Sequence, residues 1–180
     1  MAERFARERL ERSGDARIYL IRQPEADPYT FEVCGTTSRL YFVRLHASKP
    51  TCTCPDHEYR KNRCKHIYFV LTRCLRMTRA VAVRREFDAA TIESFLSRWA
   101  QSRHASAVGA PVASARPDDR KPFDGEPCPI CLDDMREAAL DTTWCREQCG
   151  RSVHVGCFAL WQKHRGGTCV YCRAPMDFAS

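Results

Sequence analysis

The chain has no apolar run approaching the roughly 20 residues needed to cross a bilayer, so no membrane partner is expected. Its amino-terminal stretch, MAERFARERLERSGD, is charged throughout and lacks the apolar core of a secretory signal. Nothing points to an oxidising destination, and the expected setting is a reducing one, cytoplasm or nucleus. No internal repeat is evident, although both halves concentrate Cys and His.

What the chain does have is cysteine, twelve in 180 residues. Small domains that cannot bury a large core recruit disulfides or metals, and the redox compartment separates the two. In a reducing setting clustered cysteines read as zinc ligands before disulfides. Length alone permits one domain of ordinary size or two small ones. The formal charge of +7 is uneven: residues 1–121 carry 23 Lys/Arg against 14 Asp/Glu, and residues 122–180 carry 6 against 8. Ten cysteine thiolates around three zinc ions would lower the net charge by four, to about +3. Attraction to nucleic acid would then have to come from a local patch.

Residues 2–13 carry opposite charges four apart, Glu3 with Arg7 and Glu8 with Arg12 among them, and stop at Gly14, which predicts a helix. The runs RIYLIRQP, YTFEVCGTT and LYFVRLHAS, broken by Pro24, Pro28 and Gly35, predict a small antiparallel sheet. Beyond Cys64-Lys65-His66, the residues Ile67, Val70, Leu71 and Cys74 fall on one helical face. Asp88 is placed to cap a further helix, with Phe87 and Ile92 spaced for a hydrophobic staple and Ile92, Phe95, Leu96 and Trp99 as its apolar stripe. From 104 to 122 the sequence HASAVGAPVASARPDDRKP has no periodicity and predicts a flexible linker. The expected organisation is α+β and zinc-stabilised. It comprises a helix in 1–16, a sheet and zinc module in 17–80, a helix in 81–103 docked on it, a linker in 104–122 and a second zinc module in 123–180.

Structural zinc takes four soft or borderline ligands in a closed tetrahedron at about 2.0–2.3 Å. Within TCTCPDHEYRKNRCKH, residues 51–66, Cys52, Cys54, Cys64 and His66 supply four. The two thiols of Cys-x-Cys lie on one side of an extended chain, and Cys64-Lys65-His66 leads into a helix, so one ion would pin a strand end to a helix start. His57, inside the loop, is the alternative imidazole. Cys-x-Cys, nine residues, Cys-x-His, with CPD after the second cysteine and CKHI at the end, resembles the SWIM zinc finger. That family is associated with protein and DNA contacts alike. Tyr59, Arg60, Lys61, Arg63 and Lys65 form a basic, aromatic patch beside the ligands, able to meet phosphates or an acidic protein surface. A protein partner is the favoured expectation, with nucleic acid as the other.

The second cluster reads Cys128-x2-Cys131, Cys145-x3-Cys149, His154-x2-Cys157, Cys169-x2-Cys172. When four such pairs interleave, the first and third share one ion and the second and fourth another. The crossing would lock a segment that has little core of its own. The assignment is therefore Cys128, Cys131, His154 and Cys157 for one zinc and Cys145, Cys149, Cys169 and Cys172 for the next, with His164 spare. This ligand order occurs in RING variants and in PHD fingers. CPICL, HVGCFALW with Trp161 four residues after Cys157, and CVYCRAP together resemble a RING finger. A PHD finger usually has an aromatic two residues before its seventh ligand, where this chain has Gly167. The wide Cys145-x3-Cys149 pair and the late histidine are similar to the RING variant paired with SWIM fingers in MEX-type and MEK-kinase-type ubiquitin ligases. The resemblance covers residues 30–80 and 125–176 and includes no kinase domain.

The resemblance implies a RING-type E3 ubiquitin ligase with no nucleophile of its own. Its partners would be a ubiquitin-conjugating enzyme, ubiquitin and a protein substrate recruited by the SWIM module; its cofactor would be zinc, three ions per chain. Carried over by position, Ile130, Trp161, Val170 and Pro175 would form the groove for the conjugating enzyme, and Arg173 the linchpin that bridges enzyme and ubiquitin. Val170 stands where many active RINGs have proline. The alternatives are a non-enzymatic zinc-binding adaptor and a PHD-like reader of histone tails. Cys34 and Cys74 lie in apolar patterns, as small buried residues do, so no transthiolating cysteine is expected.

Overall fold

The aromatic and β-branched runs after Arg17 pair into one antiparallel meander in the computed structural model, in the order β1 (Ile18–Arg22), β2 (Thr30–Gly35), β3 (Leu40–Arg44) and β4 (Thr51–Cys52). The structure describes residues 8, 10–11, 17–35, 38–46, 48–107, 120–122, 125–135 and 142–178. The chain divides into two compact units, Met1–Ser102 and Arg103–Ser180.

In the first unit, register pairs Phe31 with Val43, Val33 with Tyr41 and Val43 with Cys52, so these side chains share one face of the sheet. A register shift between Leu20 and Arg22 leaves Ile21 unopposed, and Ile18, Leu20 and Ile21 are all buried. The α-helices that follow are α1 (Pro55–Arg60), α2 (Lys65–Phe69), α3 (Arg79–Ala82) and α4 (Ala89–Ala107), the last of which runs past the boundary at Ser102. α1 lies inside the stretch read from sequence as a loop.

A regular helical face over Ile67, Val70, Leu71 and Cys74 is not what forms. After Phe69 the helix widens into a π turn, Val70–Cys74, and the Leu75 amide donates to the Val70 carbonyl at 2.9 Å. Ile67, Tyr68, Phe69, Val70 and Leu71 are all buried, and five consecutive buried side chains exceed a single stripe; the wider turn redistributes them. The turn ends where Arg76 takes the left-handed conformation (φ +52°) and Met77 N–H bonds back to the Leu71 carbonyl at 2.9 Å.

α4 begins with Asp88, whose carboxylate accepts from the Thr91 amide at 2.7 Å and the Thr91 hydroxyl at 2.8 Å. Phe87, Ile92, Leu96 and Trp99 are buried; the Trp99 ring packs on Phe31 at 6.4 Å, and its indole N–H donates to Gln23 Oε1 at 2.8 Å. This helix therefore docks on the sheet. It continues through Ala107, four residues into the stretch expected as a linker, because Ala and Ser tolerate helical backbone well enough to extend it. Glu8, Leu10 and Glu11 are helical; the rest of the expected amino-terminal helix, and residues 108–119 of the expected linker, fall outside the described residues.

The second unit is a short hairpin, β5 (Thr142–Trp144) with β6 (Ser152–His154), leading directly into α5 (Val155–Arg165). Ile130, Met135, Val153, Phe158, Trp161 and Met176 make its small apolar core. No described helix is long and apolar enough to cross a membrane.

Candidate metal centres and partner surfaces

The donor atoms of Cys52, Cys54, Cys64 and His66 lie within 4.8 Å of one another. Cys52 ends β4 on the face it shares with Val43. Cys54 and Cys64 immediately precede α1 and α2 in extended backbone, and Pro55 fills the first helical position, where a missing N–H costs nothing. His66 Nδ1 stands 3.9 Å from Cys52 Sγ and 3.8 Å from Cys64 Sγ, with the Tyr41 ring against the imidazole at 4.7 Å. These separations fit the ~3.7 Å edge of a tetrahedron built on zinc's usual bond lengths. His57 takes no part: it lies outside the tetrad, and its Nδ1 is 2.7 Å from the Asn62 carbonyl.

Two further tetrads occupy the second unit, Cys128, Cys131, His154 and Cys157 in one and Cys145, Cys149, Cys169 and Cys172 in the other. His154 Nδ1 is 3.4 Å from Cys131 Sγ and 3.7 Å from Cys157 Sγ, while Cys145–Cys172 and Cys149–Cys169 sulfurs are 3.7 and 3.6 Å apart. Sulfurs at that spacing are far beyond the ~2.05 Å of a disulfide and match a tetrahedral edge. His154 precedes α5 and Cys157 lies three residues on, so both point the same way from the helix start. A thiolate-rich closed tetrahedron is the donor set that zinc takes.

Three of the pairs share a turn that composition does not reveal. In each, the residue after the second cysteine has positive φ: Leu132 at +64°, Gly150 at +66° and Arg173 at +67°. Each donates its N–H to the carbonyl of the first cysteine, at 2.8, 2.9 and 3.1 Å. The first cysteine's own N–H then donates to the next residue's carbonyl, Asp133, Arg151 or Ala174, at 2.9, 3.0 and 2.8 Å. The result is a closed loop that aims two sulfurs at one point. Gly150 was the one visible signal of this turn.

Among the protein groups alone, each tetrad concentrates charge on one sulfur. The Cys52 thiol donates to Cys64 and holds it down to about 4, while Cys52 itself is raised and burial pushes Cys54 up to about 11. Cys128 is held low by bonds from Cys131 and Cys157; in return Cys131 is pushed up to about 12 and Cys157 is raised, and the Cys128 thiolate raises His154. Cys149 sits at about 5, held there by the Cys169 thiol, which is raised. A cation that gathers all four donors must displace the remaining protons.

Residues 41–75 match the family model of the SWIM zinc finger. The matched stretch runs from β3 through all four donors of the first tetrad to the end of the π turn. Among curated proteins, the chain is similar to one named E3 ubiquitin-protein ligase Zswim2 from Mus musculus, 27% identical over 173 residues. The alignment covers 88% of this chain and 26% of that relative, so the chain spans about a quarter of the relative's length. No solved structure matches.

Around the SWIM finger, Tyr59 is 87% exposed, and Lys61 and Lys65 are also exposed. Arg60 pairs with Asp56 at 3.1 Å. Arg63 departs from the patch drawn from sequence: its guanidinium donates to the Ala82 carbonyl at 2.6 Å and the Arg85 carbonyl at 3.0 Å, over the Phe87 ring at 4.7 Å. It works inward, because a guanidinium fork satisfies two carbonyls that a turn leaves open.

In the second unit, Ile130 is fully buried at 0% exposure, so its side chain packs inside the first knuckle instead of facing a partner. Trp161 is buried too, its indole N–H donating to the Thr168 carbonyl at 2.8 Å. Arg173 is exposed with its guanidinium 5.4 Å from the Trp161 ring, Pro175 is exposed, and Val170 is half-buried. His164 lies outside both tetrads, and Cys34 and Cys74 are buried. A feature that motif reading missed is Trp144, which carries Arg120 over its ring at 5.0 Å and Arg146 at 4.5 Å.

Proposed function

We propose that this chain is a RING-type E3 ubiquitin ligase that holds three zinc ions. Its second unit docks a ubiquitin-conjugating enzyme, and its SWIM unit recruits the protein to be modified. One observation carries the reading: two crossed tetrads that end in an exposed Arg173, in a chain aligned along 88% of its length with a protein named as an E3 ubiquitin-protein ligase.

The chemistry needs no nucleophile from this chain. Holding a thioester-charged conjugating enzyme and its ubiquitin in one reactive arrangement is an orientational effect. Val170 and Pro175 supply the apolar rim, and Trp161 supports them from beneath through its bond to Thr168. Arg173 projects from a left-handed turn fixed by its own N–H bond to the Cys169 carbonyl. Its planar fork can bridge carbonyls of enzyme and ubiquitin together, which an ammonium does poorly. Complete burial of Ile130 removes one expected groove residue and favours a second reading, a zinc-stabilised adaptor without ligase activity.

Incubating the zinc-loaded chain with activating enzyme, a broad panel of conjugating enzymes, ubiquitin and ATP separates the two. Ubiquitin chains with at least one conjugating enzyme are expected. Silence across the panel would leave the adaptor.

A further inference from the structure

From Tyr59 to Arg85 the chain carries nine Lys or Arg and no Asp or Glu. Of the two bounding acids, Glu86 is already paired with Lys49 at 3.1 Å. The fold gathers this charge. Arg63, bonded to the Ala82 and Arg85 carbonyls, ties the loop inside the SWIM finger to the segment that joins α3 to α4. That strut ties the segment carrying exposed Lys61 and Lys65 to the one carrying exposed Arg84 and Arg85, which lie outside the stretch that matches the SWIM family. On the same loop Tyr59 is 87% exposed, from a helix that buries none of its residues.

We propose that this face binds single-stranded nucleic acid, with Lys61, Lys65, Arg84 and Arg85 on phosphates and the Tyr59 ring stacked on a base. Cations free of intervening acids suit a ligand whose negative charge repeats evenly along a backbone. An exposed ring beside them is a stacking surface that any unpaired base can use. An acidic protein segment would ask for apolar pockets next to the charge, and among the described residues of the first unit the exposed large apolar side chain is this one ring. The inference does not depend on ligase activity, since its test contains neither ubiquitin nor a conjugating enzyme.

The test is fluorescence anisotropy of the full zinc-loaded chain with a labelled mixed-sequence oligonucleotide, as single-stranded RNA, single-stranded DNA and duplex, with polyglutamate as competitor. Single strands are expected to bind more tightly than duplex. Tyr59→Ala is expected to weaken single-strand binding about tenfold, with Tyr59→Phe close to wild type. Replacing both Arg84 and Arg85 by Ala is expected to flatten the slope of log affinity against log salt by about 1.4, near 0.7 for each phosphate no longer neutralised. Zinc content is measured on each variant, and all four changes lie at exposed positions. Equal binding of duplex, an unchanged affinity in Tyr59→Ala, or displacement by polyglutamate as effective as by single strands would overturn the proposal; the last would assign the face to an acidic protein.

Discussion

Leu132, Gly150 and Arg173 each follow the second cysteine of a pair and each adopt a backbone that L-residues avoid. Two of the three carry side chains there, so the turn is held by its bonds to the first cysteine and not by glycine's freedom. Gly150→Ala is therefore expected to fold and keep its metal while losing about 1 kcal/mol, the usual cost of a left-handed non-glycine residue, read as a lower urea midpoint at unchanged slope. The ligand positions were legible in the sequence because spacing along the chain is covalent: two sulfurs two to four residues apart reach one point in almost any tight turn. Exposure was not legible. Ile130 reads the same in a motif whether it faces a partner or the core, and Arg63 looks like any loop cation until the carbonyls of Ala82 and Arg85 are in place beside it.

At the scale of elements, the strands and the Asp88 start of α4 were plain from pattern, since alternation and capping are local. The π turn at Val70–Cys74 was not, because it answers to how many neighbours must be buried at once, which only the sheet face decides. α1 was hidden for a similar reason: six residues are too few to show periodicity, and it forms because Pro55 and the two flanking cysteines fix its ends. The Asp88 cap gives a prediction with a pH signature. Thr91, through its amide and hydroxyl, holds this carboxyl below its usual 3.8. A depressed folded value means the cap contributes fully above that range and is lost only as pH falls through the lowered value. Asp88→Ala should lower the thermal midpoint by an amount that stays flat from pH 7 to about 5, and Asp88→Asn should keep most of the wild-type midpoint.

Across the whole molecule, metal and fold are coupled differently in the two units. Among the described residues, the first has a four-stranded sheet with a docked helix, whereas the second has a hairpin of two three-residue strands, one helix and two crossed tetrads. Stripping metal with a chelator should therefore cost the second unit its protection from proteolysis before the first. Metal analysis of the intact chain should return three zinc per chain. With Cys54 held at about 11 and Cys131 at about 12, loading the ions at neutral pH should release protons, and zinc should be lost as pH falls, followed with a zinc-sensitive dye. A count of two would remove one tetrad from the account.

The most direct measurement is single-turnover discharge of ubiquitin from a charged conjugating enzyme onto free lysine, with the zinc-loaded chain in excess. The ligase account predicts faster discharge with the wild type. It predicts a return towards the uncatalysed rate with Arg173→Ala, at unchanged zinc content and thermal midpoint. Discharge unaffected by the wild-type chain across the panel, or equally fast with Arg173→Ala, would contradict it.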